Sequence, residues 1–102
     1  MAMLHTINKS PFERNALDAC LRLAKAGAGV LLIEDGVYAG LRNTKVTGKV
    51  SKAMQTMSFY VLGPDLKARG FGEDHVIDGI KIVDYNGFVD LVVEHDNVQA
   101  WL

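Results

Sequence analysis

Apolar and polar positions fall into blocks along the chain, and the blocks alternate between strand-like runs and helix-like stripes. Met3 to Ile7 is a short apolar run, and Ser10-Pro11-Phe12-Glu13 follows it with the composition of a helix start. A serine there accepts from the third helical amide, a proline at the first helical position loses no needed donor, and a glutamate reaches back to the cap amide. The helix this predicts runs to about Lys25. Arg14, Asp18, Arg22 and Lys25 share one solvated stripe, while Leu17, Cys20, Leu21 and Ala24 lie away from it, and Gly27 and Gly29 end it. Val30 to Ile33 is apolar without alternation and sits between glycine and Glu34-Asp35-Gly36, the pattern of a strand buried on both faces.

A short helical turn is expected around Val37 to Leu41 and a helix near residues 47–56, where Val46, Val50, Ala53, Met54 and Met57 have roughly helical spacing. Ser58 to Leu62 is the next strand, followed by a Gly63-Pro64-Asp65 turn and a short helix from Asp65 to Arg69 that Gly70 stops. Ile80 to Val83 gives a fourth strand. Asp84 to Asn86 can cap a helix whose apolar face is Phe88, Leu91, Val92 and His95, and Val98 to Leu102 adds an edge strand. Strands alternating with helices across the whole chain imply parallel pairing. The expected architecture is α/β: a three-layer α/β/α domain with a mainly parallel sheet of four to five strands.

The length of 102 residues suits one domain, residues 1–102, with a modest core. Eleven basic and twelve acidic residues leave a formal charge of −1, which argues against an electrostatically driven nucleic-acid binder. The charge is unevenly spread: residues 36–64 carry Arg42, Lys45, Lys49 and Lys52 without an acid, a stretch that either docks a partner or is simply solvated. The longest apolar stretch, Val30 to Ile33, is far below the roughly 20 residues a membrane helix needs. No signal-peptide pattern opens the chain, so the expected compartment is the cytoplasm.

Candidate chemistry is sparse. Gly27-Ala28-Gly29 precedes a strand, so its amides do not sit at a helix start where phosphate binds, and no P-loop lysine motif is present. His5, His75 and His95 have no metal-ligand spacing, and no cofactor is expected. His5 lies inside an apolar strand and must find a hydrogen bond or face an interface. In parallel α/β sheets, sites collect beyond the carboxyl ends of strands. Those ends carry Asn8, Lys9 and Ser10, then Glu34 and Asp35, then Asp65, then Asp84 and Tyr85, and capping accounts for Asp65 and Asp84. Cys20 is the one strong nucleophile, but its stripe reads as core and no general base lies near it in sequence.

Leu4-His5-Thr6, the Ser10-Pro11 helix start, Leu32 to Val37, Leu62 to Gly70, Asp84-Tyr85, Phe88 to Leu91 and Gln99-Ala100-Trp101 together resemble the DsrH/TusB family over essentially the whole chain. The resemblance implies a DsrE-like fold and a subunit of a heterohexameric sulfur-relay complex with two copies each of DsrE-like, DsrF-like and DsrH-like chains. A cysteine of the DsrE-like chain would carry the persulfide and exchange it with a DsrC-like carrier, with no direct contact to nucleic acid. The segment from Asn8 to Asn15 and the presence of Cys20 look more like the Dsr branch, which serves cytoplasmic sulfur oxidation, than the Tus branch, which serves tRNA wobble-uridine 2-thiolation. The same resemblance makes Cys20 a candidate auxiliary persulfide carrier. A subunit contact that half shelters Cys20 would reconcile this role with its core-like spacing.

Overall fold

The computed structural model describes residues 3–101. Five strands form one sheet, β1 (Met3–Ile7), β2 (Gly29–Leu32), β3 (Ser58–Leu62), β4 (Lys81–Val83) and β5 (Asn97–Trp101). Their order across the sheet is β4-β3-β2-β1-β5, and every pairing is parallel. Four α-helices connect them: α1 (Ala16–Leu23), α2 (Thr47–Ala53), α3 (Gly63–Ala68) and α4 (Tyr85–Glu94). Two 3-10 segments, Glu34–Gly40 and Glu73–His75, complete the described elements. The expected edge strand lies at β5, beside β1; its last expected residue, Leu102, falls outside the described residues.

Side-chain alternation divides the sheet into two unequal faces. Ile7, Val30, Leu32, Phe59 and Val61 point to the side where Leu17, Cys20, Val37, Val50 and Leu66 meet them, and this is the main core. Leu4 and Leu31 point to the other side, where Leu91 of α4 covers them with Phe88, Ile33, Tyr60 and Val83 around it. The three expected layers are therefore present, but one outer layer is a single helix.

The Ser10-Pro11 signal closes a turn instead of starting a helix. Ser10 Oγ accepts from the Phe12 amide at 3.2 Å, and the Ser10 carbonyl accepts from Glu13 and Arg14 at 3.2 and 3.1 Å. The helix starts at Ala16, behind an Asn15 that makes no side-chain cap. Residues 12–15 are all exposed, whereas Ala16 and Leu17 are buried. Tertiary packing stabilises most short helices, so helix begins where burial does. It ends at Leu23, two residues earlier than expected, because Ala24 turns extended.

At the carboxyl end of β2 the backbone makes its tightest approach. Ile33 donates to the Ile7 carbonyl at 3.0 Å, and Gly36 donates to the Ile33 carbonyl at 2.8 Å. A Cβ on Gly36 would stand 2.0 Å from the Ile7 carbonyl oxygen. Only glycine fits there without moving backbone.

Candidate functional site

Three places are candidates for a site, two of them anticipated in the sequence and one not. The first is the carboxyl end of the sheet. Asp65 does not cap its own helix; its Oδ2 accepts from the Glu34 amide at 2.7 Å and so holds the turn after β2, where Glu34 takes a positive φ of 49°. Arg69, one turn further along, pairs with Asp35 at 2.9 Å and donates to the Asp65 carbonyl at 3.1 Å. Asp84 caps α4 by accepting from the Gly87 amide at 2.8 Å, as its position predicts. These carboxylates are thus occupied by backbone and arginine. Among the described residues no three His, Cys, Asp or Glu side chains form a metal-ligating group.

The second place is Cys20. It is 0% exposed and faces the main core, with Leu17 buried beside it and Leu21 and Ala24 packed against the same cluster. Burial pushes its thiol up to about 11. At neutral pH that leaves on the order of one thiolate in ten thousand molecules. This chain alone seals the thiol, so no subunit contact is needed to shelter it.

The third place is the outer surface of α4. Its inward residues are Leu91, Phe88 and His95, of which Leu91 is buried and the others half-buried. His95 rests over Gly29, where an added Cβ would come within 2.8 Å of its Nε2. Val92, expected to face inward, is 38% exposed. Tyr85, Val89 and Val93, four residues apart, are 60%, 60% and 78% exposed. Together with Phe88 and Val92 they line a shallow apolar depression. Only the Asn86, Asp90, Glu94 stripe of this helix is polar, so α4 is apolar toward the sheet and apolar again on an outer flank. Val98 of β5 adds a further exposed apolar side chain, 46% exposed. The signal was present in the spacing of residues 85, 89 and 93; it was obscured because one apolar face is all that a helix over a sheet needs.

The basic stretch resolves into local contacts. Arg42 pairs with Asp78 and donates from Nε to the Val76 carbonyl at 2.7 Å, and Lys49 pairs with Asp18 of α1. Two of the four cations therefore tie elements of the same chain together. His5 finds the partner its burial demands, since Trp101 Nε1 donates to its Nδ1 at 3.1 Å.

The domain is thus all-parallel α/β, with a sealed thiol and an apolar flank of α4 open to solvent. Residues 9–98 match the family model described as DsrH like protein. The Protein TusB of Pectobacterium parmentieri is 37% identical, covering 97% of this chain and 100% of that one, and the Protein TusB of Erwinia tasmaniensis is 40% identical with the same coverage. The chain belongs to the DsrH/TusB family. The crystal structure of the YchN protein from E. coli has the same fold, with a TM-score of 0.86 at 21% identity and 98% of each chain covered. No helix among the described residues is long and apolar enough to cross a membrane.

Proposed function

We propose that this chain is the TusB-like subunit of a cytoplasmic sulfur relay that serves 2-thiolation of the wobble uridine in tRNA. Full-length likeness to proteins named TusB favours this branch over the Dsr branch of sulfur oxidation, toward which the Asn8 to Asn15 segment and Cys20 lean. The observation that carries the subunit role is the outer flank of α4. Tyr85, Val89 and Val93 hold a contiguous apolar surface in water, which a partner chain would bury. In this reading the partners are the two sibling chains, DsrE-like and DsrF-like, and the persulfide travels on a sibling's cysteine to a DsrC-like carrier. Each transfer is an attack by a carrier thiolate on the outer sulfur, with the sibling's thiolate as leaving group.

Deleting the gene is expected to lower wobble 2-thiouridine, read by mass spectrometry of bulk tRNA, and a plasmid copy is expected to restore it. Unchanged thiolation together with defective oxidation of stored sulfur would move the chain to the Dsr branch.

Cys20 acts in this proposal as a packing group and not as a persulfide carrier, because its thiol is buried and protonated. Cys20→Ala should cost about 1 kcal/mol of stability, and Cys20→Ser about 1–3 kcal/mol, since its hydroxyl would sit among apolar side chains. Both are read by denaturant unfolding. Relay activity of the assembled Cys20→Ala complex should equal that of the parent. Loss of activity in a complex that still assembles would restore the thiol to a chemical role.

A further inference from the structure

The face of β1 and β5 that looks toward α1 carries a cavity of about 260 Å³. Its floor follows from the register: Met3 lies opposite Asn97 and His5 opposite Gln99, so these four side chains share one face. Leu23 and Lys25, at the end of α1 and just beyond it, form a wall, and Asp96 stands at the start of β5. The volume lies below the roughly 300–1,000 Å³ of pockets for drug-sized ligands, so the occupant is small.

His5 is the buried polar group of that floor, 4% exposed. An indole N–H only donates, so the bond from Trp101 makes Nδ1 the acceptor and leaves the proton of the neutral ring on Nε2. Burial lowers the His5 pKa and keeps the ring neutral. Nε2 has no hydrogen-bond partner among the described residues. Among the described residues Asn8 Oδ1 is the buried side-chain polar atom without a partner, so Nε2 of His5 keeps some exposure, and since His5 lines the cavity this N–H is a donor available there.

The lining carries one charge of each sign. Lys25 and Asp96 are both exposed, and neither takes part in an ion pair among the described residues. A simple anion is drawn to Lys25 and repelled by Asp96, and a simple cation meets the reverse. A small molecule with both charges satisfies both groups, and a second carboxylate oxygen answers the His5 N–H.

We propose that this cavity binds a free α-amino acid with an aliphatic side chain. Its carboxylate lies between Lys25 and Nε2–H of His5, its ammonium faces Asp96, and its side chain packs on Met3 and Leu23. The site is independent of the sulfur-relay reading, because none of its groups belongs to the α4 flank or involves Cys20.

The test is a titration of the full chain with L-leucine, followed by NMR of the His5 ring nitrogens and of the Asn97 and Gln99 side-chain amides. A saturable shift at these three residues is expected. Isocaproate, which lacks the ammonium, and isoamylamine, which lacks the carboxylate, should each bind about tenfold more weakly or worse. Lys25→Ala and Asp96→Ala, both on exposed positions, should each weaken leucine binding by about tenfold. Lys45→Ala, outside the cavity, should leave it unchanged. Isocaproate binding as tightly as leucine would overturn the proposal in favour of a carboxylate site, and so would the absence of a saturable shift or indifference to both lining substitutions.

Discussion

Val89→Asp is expected to prevent the chain from joining the sibling subunits proposed above while leaving its own fold intact. Val89 is 60% exposed at the centre of the Tyr85, Val89, Val93 flank, so the isolated domain gains little from its burial. Valine and aspartate have similar helix propensity, and an exposed substitution of this kind usually stays within about 0.5 kcal/mol. In a contact the balance reverses. An unpaired carboxylate taken out of water costs several kcal/mol, and the valine's own burial is lost. A loss of about 4 kcal/mol corresponds to roughly a thousandfold in affinity. Val93→Lys should act in the same way, with its charge favourably placed in the last turn of α4. Sedimentation of the three mixed chains reads assembly, and thermal melting of the isolated chain reads the fold. Normal assembly by both variants would remove α4 from the interface.

Gly36→Ala is expected to be the most damaging single-methyl change in the domain. The added carbon would stand 2.0 Å from the Ile7 carbonyl oxygen and 2.8 Å from its carbonyl carbon, and both are backbone atoms that cannot swing aside. Relief requires β1 and the 3-10 segment Glu34–Gly40 to part, at the cost of the Ile33–Ile7 and Gly36–Ile33 hydrogen bonds. Overpacking of this severity costs about 3 kcal/mol, which in a domain of this size lowers the melting temperature by about 10–20 °C. Gly48→Ala is the contrasting control. Nothing lies within 4 Å of a Cβ there, and the residue is helical and exposed, so a gain of about 0.5 kcal/mol is expected. A Gly36→Ala variant that melts with the parent would show that the turn has room to shift.

The strands were the most legible part of the fold. Met3 to Ile7 and Val30 to Leu32 occur where the apolar runs place them, because a strand buried on both faces has nothing but its composition to declare. Helix starts were less so. A serine cap signal reports which donors a local turn can satisfy, and Ser10 does satisfy them, but whether a helix follows depends on burial that begins only at Ala16. Asp65 shows the same limit: proline and aspartate after β3 read as a cap, while its true donor, the Glu34 amide, is 31 residues away. The core reading of Cys20 followed from its stripe and agrees with its burial. The Trp101 partner of His5, 96 residues distant, is set by strand order alone.

That strand order also governs when the domain can be completed. β1 is the first strand of the chain and β5 the last, yet they are neighbours, joined along five residue pairs from Met3–Asn97 to Ile7–Trp101. During synthesis, β1 can pair with β2 early but must wait with its other edge open until β5 has been made. The sheet is therefore completed late, after the four other strands have been made, and the open edge of β1 is the part of the nascent chain most in need of protection from strangers.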